Sequence, residues 1–242
     1  MKAFHIGHFR GITIGESLVR LFEALGYKVV RANYQGDVGP HVAKSLWGVL
    51  NMDEEYEKVK SLNNKEKAEF LGRAYAYASQ QYEEKEGVKK EILDINKSIY
   101  NILEGAKDDS KIYELYKETR QWSLDYFEDI YKKLDSHFDK YYFESETFSL
   151  GKKLVLKNVG SVFQKSQDAI IYPGEKKGLH NRVFITSEGN ATYEAKDLAL
   201  AYKKQEDFKP DQLVVITAKE QNEYFKILFK AIDEVLPDLK NK

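Results

Sequence analysis

The sequence contains no cysteine. That absence removes disulfides, thiolate nucleophiles and cysteine-ligated zinc together, and it fits a reducing, cytoplasmic setting. Nor is there an excess of charge of either sign. With 38 basic and 39 acidic side chains the formal charge is -1, so no global field draws the chain to nucleic acid. No apolar run approaches the roughly 18 residues of a membrane span. The opening "MKAFHIGHFRG" is broken by His5, His8 and Arg10 before a signal-peptide core can form. No internal repeat or low-complexity tract is visible.

What is present is a globular composition: 42% hydrophobic and 32% charged residues, with 17 tyrosines and 13 phenylalanines supplying much of the apolar area. At 242 residues the chain is one large domain or two small ones. Residues 8 to 25 place Ile14, Leu18, Leu21, Phe22 and Leu25 at helical spacing, with Gly26 as the stop. "YKVVRANY" then reads as a strand, "QGDVGP" as a glycine loop, and a helix follows, which is the rhythm of a parallel α/β sheet.

From about Asp53 to Tyr142 the pattern turns to long charged helices. Ile92, Ile95, Ile99 and Ile102 share one face, and Phe127, Ile130, Leu134 and Phe138 another; both stripes read as core-facing. Beyond Glu144, "KKLVLK", "DAIIY" and "RVFIT" read as strands, with "PGEKKG" as a turn. "EAKDLALAYKKQ" reads as an amphipathic helix, "QLVVITA" as a buried strand and "NEYFKILFKAIDEVL" as a closing helix. The ends are α/β and the middle is helical with a small β element, as if an insertion split a nucleotide-binding fold.

Four constellations carry chemistry. In "HIGH", His5 and His8 bracket Gly7 at a helix start, where unpaired N–H groups and the helix dipole suit a phosphate and imidazoles add donors. Taken alone the pair is equally readable as incidental. A metal site is not suggested, since His41, His137 and His180 lack ligand spacing. In "TYEAKD", Tyr193 and Asp197 lie four apart on one helical face, where a carboxylate and a phenol could grip a cation; a surface or capping acid is the bland alternative. Gln221 follows the "LVVITA" strand, where open parallel sheets place their ligands. Gly36 and Gly39 in "NYQGDVGPH" occupy a similar place, although such glycines more often serve turns.

In order and separation these residues resemble the catalytic core of arginyl-tRNA synthetase, a class I aminoacyl-tRNA synthetase. The family carries N-x-x-K-x-x-H-x-G-H-x-R, then G-D-x-G, then Y-x-x-x-D and a strand followed by glutamine. Lys2, His5, Gly7, His8 and Arg10, then Gly36, Asp37 and Gly39, then Tyr193, Asp197 and Gln221 match it. The resemblance implies an α/β fold: a Rossmann-like parallel sheet whose halves, 1–48 and 181–242, are divided by a connective insertion at 49–180. It implies ATP-dependent activation of L-arginine and its ligation to tRNA(Arg), with Mg2+ accompanying ATP and no structural zinc. His5 and His8 would be catalytic, and Lys2, His5, Gly7 and His8 would hold ATP. Tyr193, Asp197, Gln221 and His5 would hold arginine, and Gly36, Asp37 and Gly39 would form an active-site loop. No membrane or DNA partner is implied.

The sequence also departs from the family. The asparagine and first strand would fall before Met1, the K-M-S-K-S-type loop beyond Lys242, and the tRNA-contacting domains outside these residues. Asp168 stands where the family often has glycine. The reading is therefore of a partial catalytic domain. Its alternative is a non-catalytic RNA- or protein-binding module derived from the same core.

Overall fold

The computed structural model describes residues 4–106, 111–240 and 242. The chain divides into two compact units, 1–141 and 142–242. Each has its own hydrophobic core.

The first unit opens with α1 (Ile6–Ala24), closed where Gly26 takes a φ of 87°, as its glycine predicts. No residue of α1 is buried. Ile12, Leu18, Val19 and Phe22 are half-buried, and ion pairs tie its polar side. Arg31 bonds Glu16 at 3.2 Å and Glu23 at 2.7 Å, and Arg20 reaches Asp135 at 2.8 Å. The Arg31 guanidinium is the main reason that Glu16 is held down at about 2. The strand β1 (Ala32–Gln35) occupies only the last part of the expected run, and Gly39, with a φ of 109°, caps α2 (Pro40–Leu50) with proline at its first position.

Then come α3 (Asp53–Val59), α4 (Asn64–Glu84), α5 (Glu86–Leu103) and α6 (Lys111–Lys133). Ile92, Ile95 and Ile99 are buried, as their spacing predicts. On α6 the buried residues are Leu115, Tyr116, Thr119, Trp122 and Tyr131, whereas Phe127, Ile130, Leu134 and Phe138 are half-buried. The stripe fails because the helix stops at Lys133 and Asp135 takes a φ of 51°, so Leu134 and Phe138 leave the helical register. Arg31 accepts through its carbonyl from the Asp139 and Lys140 N–H groups, at the approach to β2 (Lys140–Phe143), and β1 and β2 make a two-stranded sheet.

In the second unit, α7 (Glu144–Lys157) occupies the run expected to be a strand. A short apolar run such as Leu154–Val155–Leu156 is ambiguous in period. The buried residues, Glu144, Thr147, Phe148, Gly151 and Val155, fall at helical spacing and so decide it. An antiparallel sheet follows, β3 (Gln164–Ser166), β4 (Ala169–Tyr172) and β5 (Arg182–Ile185). Its first hairpin turns on Gln167 and Asp168, whose φ values are 47° and 64°. That explains the departure at Asp168: the turn requires a left-handed residue, which glycine meets freely and aspartate tolerates.

α8 (Tyr193–Phe208) packs on α7 and β5, and α9 (Asn222–Val235) packs on α8. Phe163, Tyr172, Phe184, Leu198, Ile227 and Leu228 fill the core between them. Residues 212–218, expected as a buried strand, form no strand among the described residues. Val214, Val215 and Ile216 there are exposed.

Candidate functional site

The start of α1 is closed by its two histidines. His5 is the N-cap; its Nδ1 accepts from the Gly7 N–H at 3.1 Å, while the His8 Nδ1 accepts from the His5 N–H at 3.3 Å. This is a capping box with imidazoles standing where a hydroxyl and a glutamate usually stand. The rings stack with centroids 3.8 Å apart, and Phe4 and Phe127 lie beside the His8 ring.

A neutral imidazole that accepts at Nδ1 carries its proton on Nε2. The cap therefore selects one tautomer for both rings, with the proton on Nε2. Gly7 is required by the same geometry, because a Cβ there would lie 2.9 Å from His5 Cε1 and 3.0 Å from its Nδ1. The sequence suggested unpaired backbone donors at this helix start. The Gly7 N–H is instead taken by His5, so the imidazole edges are what the motif presents. Lys2 lies outside the described residues.

The "GDVG" loop is anchored rather than open. Asp37 is buried, and its Oδ2 accepts from Arg120 Nε at 2.9 Å and from the Tyr116 hydroxyl at 3.2 Å, both on α6. Gly39 serves the start of α2 through its positive φ. Gly36 lies beside them in the chain.

The second unit carries the remaining candidates. Tyr193 opens α8, exposed, with Lys196 Nζ 5.1 Å from its ring centroid. One turn later Asp197 is half-buried, and its Oδ2 accepts a 2.5 Å hydrogen bond from the Tyr224 hydroxyl on α9. Burial pushes the Asp197 carboxyl up to about 6; the Tyr224 bond and the Lys204 charge oppose this, and Glu144 and Glu194 add to it. Gln221 caps α9, exposed, and its Oε1 accepts from the Thr217 hydroxyl at 2.9 Å.

Neither Tyr224 nor Glu144 was singled out in the sequence. Tyr224 reads as one more apolar member of α9, although it lies three residues after Gln221. Glu144 carried no role in the sequence, yet it is buried against Lys196 at 3.1 Å and its charge reaches Asp197. The structure thus joins Asp197, Tyr224 and the start of α9 within one unit. His5 and His8, and Gly36, Asp37 and Gly39, belong to the other.

Among the described residues no group of three or more His, Asp or Glu side chains forms a ready cation cage. The imidazole donors suit a phosphate and the Asp197 carboxylate a guanidinium, and magnesium commonly arrives on phosphates with much of its water retained. Among the described residues, no helix is long and apolar enough to cross a membrane.

The chain is similar to several known proteins. It is 33% identical to an arginine–tRNA ligase of Bdellovibrio bacteriovorus over 237 residues, which cover 96% of this chain and 39% of that one. It is 30% identical to an arginine–tRNA ligase of Borreliella afzelii, across 100% of this chain and 41% of that one. In fold it resembles the arginyl-tRNA synthetase of Plasmodium falciparum, with a TM-score of 0.75 and 23% identity over 99% of this chain and 39% of that one. The enzyme of Thermus thermophilus gives 0.61 and 25% over 84% of this chain. The chain spans about two fifths of the length of the curated relatives it matches. Residues 1–238 match the family of class I tRNA synthetases (R), catalytic domain. The chain belongs to that family.

Proposed function

We propose that the protein containing this chain activates L-arginine with ATP and transfers it to tRNA(Arg), this chain supplying part of the catalytic domain. The arginine carboxylate oxygen forms a bond to the α-phosphorus as the bond from that phosphorus to the bridging oxygen breaks and pyrophosphate departs. A hydroxyl of the terminal tRNA ribose then bonds to the arginyl carbonyl carbon as the acyl–phosphate bond breaks, so the arginyl group passes to the tRNA and AMP departs. Mg2+ accompanies the nucleotide.

The observation that carries the reading is Asp197. It is half-buried on α8 one turn after an exposed tyrosine, and Lys204 only partly offsets its charge. A guanidinium is planar, always charged and rich in donors, so it is the cation such a carboxylate accommodates best. Tyr193 and Gln221 add a phenol and an amide as further partners. His5 and His8 support the phosphates through Nε2–H, on a helix start whose dipole favours the charge that grows there. The division into catalytic halves at 1–48 and 181–242 belongs to the same proposal.

Calorimetric titration of the chain with arginine and with lysine tests it. Arginine binds in preference to lysine, Asp197→Ala abolishes the preference, and affinity rises roughly tenfold between pH 5 and pH 7.5 as the carboxyl ionises. Equal binding of the two amino acids, or a preference that survives Asp197→Ala, overturns the site assignment.

A further inference from the structure

Tyr224 donates to Asp197 across 2.5 Å from the first turn of α9, three residues after the Gln221 that caps that helix. Among the described residues no other hydrogen bond reaches the Asp197 carboxylate, so one oxygen is held and the other remains for a ligand. We infer that Tyr224 is a positioning residue of the cation site: its hydroxyl fixes the orientation of the Asp197 carboxylate and keeps it ionised for the incoming guanidinium. This rests on the proposed arginine site.

The surroundings explain why such a donor is needed. On α8, Glu194 faces Asp197 with like charge and Lys204 with opposite charge. From α7, Glu144 adds a second like charge. Lys196 is paired with Glu144 at 3.1 Å, and Arg182 of β5 lies 3.7 Å from Glu194, so both nearby cations are directed to other carboxylates. Lys204 is itself pushed down by burial. Against burial and two acids, the phenol is a neutral donor whose hydrogen bond favours the charged carboxylate. It takes one oxygen only. Because Tyr224 and Gln221 both lie at the start of α9, one helix start holds the carboxylate and carries the amide.

The test begins with the empty chain. The Asp197 carboxyl, followed by carbon-detected NMR, titrates near 6 in the native protein. In Tyr224→Phe, with folding checked by circular dichroism, its midpoint rises by about one pH unit. Arginine affinity then falls about fivefold at pH 6, and the deficit narrows by pH 8.5. A packing role alone would weaken binding equally at every pH. A folded Tyr224→Phe whose Asp197 midpoint is unchanged or lowered overturns the inference.

Should that variant not fold, 3-fluorotyrosine at position 224 leaves the ring in place. Its fluorine resonance follows the Asp197 midpoint and loses that response in Asp197→Asn. A resonance that stays flat through the Asp197 midpoint overturns the inference equally. If the titration behaves as stated but the native chain binds no arginine, it is the arginine reading that falls.

Discussion

Asp197 is pushed up from 3.8 to about 6, first because burial strips water from its charge. The folded value exceeds the unfolded one, so its contribution to stability is full below about 3.8 and is lost as pH rises through about 6. At neutral pH the ionised group opposes folding by about 1 to 3 kcal/mol. Asp197→Asn keeps an acceptor for Tyr224 and removes the charge, so it raises the urea midpoint at pH 7.5 and has little effect at pH 4. The same variant loses the preference for arginine. Equal gains at both pH values would show that the carboxyl is not the source. A residue that destabilises the empty fold yet suits a ligand is what a binding site can retain at the expense of stability. Its place was legible from a four-residue spacing with Tyr193, because that spacing is a property of one helix. Tyr224 was not, because its bond to Asp197 exists only once α9 docks on α8, 27 residues further along.

Helices were the most legible elements and strands the least, and Gly151 shows why. "KKLVLK" alternates too briefly to choose a period; what settles it is that α7 lies so close to α8 that a Cβ on Gly151 would come 2.1 Å from the Ala195 carbonyl oxygen. Gly48 on α2 meets the Ala74 carbonyl oxygen of α4 at the same 2.1 Å. Neither approach leaves a mark in the sequence, where a glycine within a helix reads as a weakness. Gly72 on α4 has nothing within 4 Å of a Cβ. The three positions therefore separate backbone propensity from packing. Gly151→Ala and Gly48→Ala each lower stability by about 1 to 3 kcal/mol, since a backbone oxygen cannot swing aside as a side chain can. Gly72→Ala raises it by about 0.5 to 1 kcal/mol through the ordinary helix preference of alanine. Urea midpoints of the three variants measure this, and a loss at Gly72 comparable with that at Gly151 would contradict the packing account.

At the scale of the whole chain the apolar pattern and the burial part company in two places. α1 carries the spacing of a core helix, yet Ile6 and Leu21, and Leu25 just after it, are exposed by 78%, 62% and 74%, Leu18 and Phe22 are only half-buried, and ion pairs tie its polar side. The segment 212–218 carries the composition of a buried strand, yet Val214, Val215 and Ile216 are exposed by 53%, 41% and 37%. Among the described residues, Val214 to Thr217 make no backbone–backbone hydrogen bond. Three successive exposed apolar residues without backbone–backbone bonds among the described residues offer a template for another strand. The isolated chain should therefore self-associate as its concentration is raised from about 1 to 100 µM, the range in which unpaired edges commonly meet. Ile216→Lys and Val214→Lys place charges outside every helix and outside both hydrophobic cores, so far-UV circular dichroism stays unchanged. Sedimentation velocity should show association falling in both variants and further in the double one. Association that the lysines leave untouched would exclude this segment, and a chain monomeric throughout the range would show that three exposed side chains on an open backbone are too few to hold two copies together.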